Sequence, residues 1–265
     1  MSNIVPKDFW EQKADEYASE EQHSGGQMIS TSGGILKFGA EELEGNQMCV
    51  IVTHAVREHT FYAGRYDPDR SEPPKCYAFG ESEKKMEPAV ELMEQADPEQ
   101  NWFEPQADDC ASCPMNEWGS SDTGRGKACQ QRRRLAVIPA GTYAWNKKEK
   151  EWDLELFDDE KDFTESDMAY LKLPVTSVKF WSKYVQAISK KPGRPPYGVF
   201  TRIYIERSSG NQFEVHFELI DVVPDHVAEA IVERNAEARE TLIQSYRPPR
   251  EDSPANLRPK RLGKQ

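Results

Sequence analysis

Four cysteines constrain this chain more than any other feature of it. Cys76 is followed after 33 residues by Cys110-Ala111-Ser112-Cys113, and 15 more residues lead to Cys129. A two-residue gap lets both thiolates of one turn face a single ion, and tetrahedral zinc fixes only where the sulfurs end up, so the other two ligands can come from distant loops. The stretch around these cysteines is rich in Pro, Gly, Asp and Ser. It has too little apolar area to order itself, and metal binding would supply that free energy directly. Disulfides would need an oxidising compartment, and a redox pair would need a strand-to-helix junction that Pro114 and its surroundings do not offer. Unrelated free thiols are the remaining alternative. The spacing therefore predicts one structural zinc per chain, held by Cys76, Cys110, Cys113 and Cys129, with no open position for a substrate. Cys49 sits in Met48-Cys49-Val50-Ile51-Val52, an apolar run typical of a buried strand, and reads as a packed thiol.

Charge is the second constraint. Across 265 residues, 34 Lys and Arg face 46 Asp and Glu, a formal net charge of −12, which opposes a polyanionic partner in bulk. The distribution is uneven, however. Residues 149–167 hold ten acids and two bases, whereas residues 168–205 hold seven bases and no acid. Arg125, Lys127, Arg132, Arg133 and Arg134 form a second acid-free basic run, and residues 246–265 carry six bases against two acids. Such stretches can build a phosphate-binding patch, or they can simply face water and pair with the acidic run. No apolar run approaches the roughly 18 residues of a membrane helix, and the N-terminus lacks the order of a secretory signal. The expectation is a cytoplasmic protein without a membrane partner.

The periodicities predict an α+β fold, mainly β, with an inserted four-cysteine zinc loop and a C-terminal helix; the sheet is expected as an OB-like barrel or an open antiparallel sheet, the barrel by analogy and not from a strand count. Residues 1–26 read as an acidic arm, with a helical spacing of Phe9, Trp10 and Tyr17. Residues 27–72 form the first part of the β-rich core, with strands at 35–38 and from Met48 through Val56 to Phe61 and Tyr62. Residues 73–132 are the inserted zinc module, containing one short helix near 87–95. Residues 133–223 complete the core with strands at 134–139, 142–145 and 152–157, a helix and a hairpin. Residues 224–265 are a helix and a basic, disordered tail. The helix after Pro174 is capped by Thr176 or Ser177 and buries Val178, Trp181, Val185 and Ile188. Its Lys179, Lys183 and Lys190 share another face, where like charges repel slightly and favour an anionic partner. In the hairpin, alternation buries Ile203, Ile205, Phe213, Val215, Phe217 and Leu219, and leaves Phe200, Arg202, Tyr204, Glu214, His216 and Glu218 opposite, with Phe200 and Tyr204 able to present rings to a base. The last helix, with Val227, Ile231, Ala238 and Leu242, docks on the domain or pairs two copies as a homodimer.

No phosphate loop, dinucleotide fingerprint, zinc-protease helix or serine elbow is present, and the five histidines are scattered. The sequence therefore predicts no enzyme and no catalytic residue.

Three stretches resemble a recurrent cysteine block: Pro74-Lys75-Cys76-Tyr77-Ala78-Phe79; Cys110-Ala111-Ser112-Cys113-Pro114-Met115-Asn116-Glu117-Trp118-Gly119-Ser120; and Gly124-Arg125-Gly126-Lys127-Ala128-Cys129 with Arg133-Arg134-Leu135. The block is similar to that of bacteriophage-encoded, zinc-containing proteins of replication and recombination regions, described as single-stranded DNA-binding proteins. Leu173-Pro174-Val175-Thr176-Ser177-Val178 and Pro196-Tyr197-Gly198-Val199-Phe200-Thr201 extend the likeness over residues 47–219. The resemblance implies sequence-tolerant binding of single-stranded DNA in the host cytoplasm. Many such binders end in an acidic recruiting tail, and this chain ends basic.

Two readings follow. In the first, Arg125, Lys127, Arg132, Arg133, Arg134, Lys179, Lys183, Lys190 and Arg194 neutralise phosphates, and some of Tyr62, Tyr66, Tyr77, Phe79, Trp118 and Tyr197 stack bases, although half or more of these rings are expected in the core. In the second, the acidic run and the termini of a non-enzymatic adaptor engage a replication, recombination or transcription protein.

Overall fold

The computed structural model describes residues 28–39, 41–64, 73–96, 102–208 and 213–246. The acidic arm, Tyr66, most of the hairpin turn and the basic tail beyond Tyr246 lie outside these residues.

Two long strands organise the molecule, β4 (Gln47–Phe61) and β6 (Cys129–Asn146), after three short ones, β1 (Met28–Ser30), β2 (Lys37–Phe38) and β3 (Glu41–Glu42). Between the long strands lie β5 (Cys76–Gly80) and helix α1 (Val90–Ala96). Beyond them come β7 (Glu151–Leu156), α2 (Glu160–Thr164), β8 (Ala169–Leu173), α3 (Val178–Lys190), β9 (Val199–Arg207), β10 (Phe213–Val222) and α4 (Ala228–Thr241). The strands form one open sheet in the order β10-β9-β4-β6-β8-β1-β2-β3, with β5 added to β4 and β7 to β6. All ladders between described residues are antiparallel except β1 with β8, which is parallel and departs from the all-antiparallel expectation.

The central strands are apolar without interruption because both faces are covered. Val50, Val52, Leu135, Val137, Leu171 and Leu173 point to one side, where Trp181, Tyr184 and Ile188 of α3 seal them. Cys49, Ile51, Ala136, Ile138 and Tyr170 point to the other, where Ile231, Ala238 and Leu242 cover them, so the last helix docks on its own domain. Cys49 is the packed thiol expected; burial pushes it up to about 12.

Two expected strands, 134–139 and 142–145, are one. Pro139 cannot donate to a ladder, and it lies where the β4–β6 register shifts, between Cys49 and Val50. A second shift between Val52 and His54 leaves room for Thr53, whose hydroxyl donates to Ala136 O at 3.1 Å and whose carbonyl accepts from Asn235 of α4 at 2.5 Å.

The helix after Pro174 forms as expected, with Gly193 at φ +80 donating to Ile188 O at 2.8 Å as its stop. Ser177 is not its side-chain cap, however. Its hydroxyl accepts from Val215 N at 2.9 Å and ties the helix start to the sheet edge. The hairpin alternation holds for Ile203 and Val215, but Phe213 and Leu219 are exposed because β10 is an edge strand. Phe200, read as a candidate base-stacking ring, is buried on the α4 side against Phe163.

The segment expected as a separate insertion contributes to the sheet at both ends, through β5 and the start of β6. No helix among the described residues is long and apolar enough to cross a membrane.

Candidate functional site

The register of β4 explains the longest gap in the cysteine pattern. Phe61 pairs with Cys76 on one side and with Cys129 on the other, so cysteines 53 positions apart flank one residue of a single strand. The knuckle then folds back over them. Cys110 N–H donates to Met86 O at 2.9 Å, Asn116 N–H donates to Cys113 O at 2.9 Å, and the Asn116 side chain donates to Cys110 O at 2.7 Å. All four cysteines line one cavity of about 20 Å³, with His59, Phe61, Asn116 and Asp109 also in its wall. That volume suits a single atom-sized guest and little more.

None of the five cysteines is disulfide-bonded. Burial first, and the neighbouring cysteine charges second, push the Cys110 and Cys129 thiols up to about 12, and burial also raises Cys76. Among the described residues, no three His, Cys, Asp or Glu side chains converge tightly enough to form a ready coordination group. The sulfurs share a cavity without meeting at one point.

His59 is the residue that the sequence reading missed. It is 1% exposed, both ring nitrogens lack a hydrogen-bond partner, and burial holds its pKa near about 4, so the ring is neutral at pH 7. Its only sequence signal is its position two residues before Phe61, on the same strand face. That signal can be used only once the register is known.

The expected arginine patch divides. In a strand, successive side chains point to opposite faces, so Arg132 and Arg134 leave on one side of β6 and Arg133 on the other. Arg133 is 9% exposed, donates to the carbonyl of Arg132 at 2.9 Å, and is lowered to about 10 by burial and by Arg57. Arg134 grips Glu58 at 2.5 Å, lies 4.6 Å above the Phe79 ring, and donates to Leu242 O at 3.3 Å. Glu58 is itself fully buried, and its other oxygen stands 3.1 Å from Lys172. Tyr246 completes the cluster. Its hydroxyl donates to Glu58 at 2.7 Å and accepts from Lys172. Burial raises the Glu58 carboxyl, but Arg134, Lys172 and the Tyr246 bond outweigh it, and the net shift is downward.

The predicted aromatic platform is mostly core. Tyr77 is 1% exposed, packed among Phe79, Trp102, Phe103 and Tyr246, with its hydroxyl 2.7 Å from Ser245. Phe79 lies under Arg134, and half-buried Tyr197 packs on the α4-side core. Tyr62 is partly exposed beside this cluster. Lys179 pairs with Glu214 at 2.9 Å, Arg194 stands 3.7 Å from Asp225, Arg132 donates to Gln130, and Lys127 donates to Asn116 at 3.0 Å. Arg125, Lys183 and Lys190 are exposed without a carboxylate partner among the described residues. Trp118, in the knuckle loop, is 80% exposed.

The chain matches no protein-family model, no curated protein and no solved structure.

Proposed function

We propose that this protein binds single-stranded DNA in a sequence-tolerant way and that the cysteine cavity takes one structural zinc. The observation that carries the nucleic-acid reading is Trp118. A tryptophan left 80% exposed is costly to solvate, and here it stands on a short turn-rich loop that also presents Arg125 and Lys127. A ring on the same loop as exposed Arg125, with Lys127 held nearby by Asn116, suits a base and its phosphate, and base stacking contributes on the order of 1–3 kcal/mol whatever the base. The four thiols support the metal. Cys76 and Cys113 raise Cys110, and these three raise Cys129, so thiolates crowded into one small cavity are favoured around a cation, and sulfur donors select zinc. His59 would donate its free ring N–H to a bound thiolate, as outer-shell groups do. The resemblance to phage replication and recombination proteins agrees with this reading. So does the OB-like alternative for the architecture: the sheet curls far enough for the Phe213 ring of β10 to lie where a Cβ on Gly34 would be, after β1.

Fluorescence anisotropy of a labelled single-stranded oligonucleotide, measured on the zinc-loaded protein at two salt concentrations, tests the proposal. Binding that weakens with salt, and that weakens on the order of tenfold in Trp118→Ala, is expected. Absence of salt-sensitive binding in the wild type would remove it.

One observation favours the adaptor reading. Glu151, Asp153 and Glu155 alternate along β7, all exposed, and continue into exposed Asp158 and Asp159, which gives an acidic strip for a basic partner protein. Neutralising Glu151, Asp153 and Glu155 leaves DNA binding intact or strengthens it if the first reading holds.

A further inference from the structure

We infer that the trough between α3 and β10 is a nucleotide subsite for single-stranded DNA, separate from the knuckle loop. The inference rests on the nucleic-acid reading above and adds to it a second place on the molecule. The trough has a volume of about 350 Å³. Tyr184 and Phe217 form its floor, their rings stacked at 5.7 Å, and Phe180 and His216 form a wall, with ring centroids 4.1 Å apart. Lys183 and Lys191 stand on the rim, both exposed, and neither has a carboxylate partner among the described residues.

Three physical points select this occupant. The half-buried rings of Phe180, His216 and Phe217, backed by the buried Tyr184, offer an aromatic surface to any base, and rim ammonium groups meet its phosphate. The nearby cation Lys179 is neutralised by Glu214, which leaves Lys183 and Lys191 as the unspent charge of this side. The trough also follows a sheet edge, where a peptide could add as a strand, but that edge is interrupted. The outward N–H of Val215 is already donated to Ser177 Oγ, so a continuous added ladder is blocked there. A base needs no such ladder. The trough also shares a sheet face with the cysteine cavity. Leu135 and Val137 pack under α3, and the register carries that same face back through Arg133 and Gln131 to the Cys129 end of β6.

The test uses the full-length, zinc-loaded protein and an oligo-dT strand. Lys183→Glu combined with Lys191→Glu is expected to weaken binding by about tenfold or more, and to lower the slope of log affinity against log salt by about 1.4, the value for two single-strand phosphates. Leu219→Glu, at an exposed position that also lines the trough, is expected to weaken binding as well. Strands carrying 5-iodouracil should cross-link to Phe180 or His216. If the wild type binds with salt sensitivity while both variants keep wild-type affinity and slope, the trough is not a subsite and the knuckle reading survives. If the wild type itself shows no salt-sensitive binding, both readings fall. Competition by dTMP as effective, per nucleotide, as the strand would assign the trough to a free nucleotide and overturn the assignment to DNA.

Discussion

Glu58 shows how one buried carboxylate can hold a region together. It has no exposure, and its desolvation is offset by Arg134, Lys172 and Tyr246, whose bonds converge on its two oxygens. Its folded pKa lies below its ordinary value of 4.5, so its stabilisation is fully present above that pH and is lost as pH falls through the depressed folded value. Glu58→Gln should therefore unfold more readily at neutral pH and show a shallower loss of stability below about pH 4.5, as read from urea midpoints across acidic pH. The same cluster makes Arg134→Glu a stability variant and not a binding one: it would bury two carboxylates side by side. Near the cavity, His59→Ala should weaken zinc binding by about 10–100-fold in a chelator competition while leaving the sheet's circular dichroism unchanged. An unchanged zinc affinity would remove His59 from the site.

Among the elements, the segment after α4 ties three strands together. It returns across β4, β5 and β6 and places Tyr246 over Glu58 and Ser245 against Tyr77. Tyr246→Phe removes a hydrogen bond to a charged, buried group and should cost about 2 kcal/mol by denaturant titration. A loss near zero would mean that the segment lies loosely on the sheet. At the opposite side, Ser177 joins α3 to β10 through one bond to Val215 N. Ser177→Ala leaves that N–H unsatisfied in a buried setting and is expected to cost about 1–3 kcal/mol. Apolar runs in the sequence marked β4 and, as two separate strands, β6, and helical spacing marked α3 and α4, because each signal is imposed by the element's own backbone and burial. These signals did not identify the one-residue details. Ser177 has the composition of a helix cap but bonds across the fold, and Phe200 alternates onto a face that only α4 makes interior.

For the whole molecule, the cysteine segment is joined to the sheet at both ends, and on the zinc proposal a metal would order what lies in between. Stripping zinc with a chelator should expose residues 81–128 to protease while the core built on β4, β6 and β8 keeps its protection, because that core is closed by α3 and α4 and not by the cavity. Simultaneous digestion of both regions would show that the sheet cannot stand without the metal.

Local chemistry along the chain was sufficient to set out the thiol pattern, the central strands, the two long helices and the uneven charge, since spacing and alternation act over a few residues. Tertiary structure decided which of those residues can work together. Pairing on both sides of Phe61 brings Cys76 to Cys129, strand alternation sends Arg132 and Arg134 away from Arg133, and burial takes Tyr77 from the surface and leaves Trp118 on it. The physical reason is that register and burial are properties of contacts between distant segments, and no short-range pattern carries them.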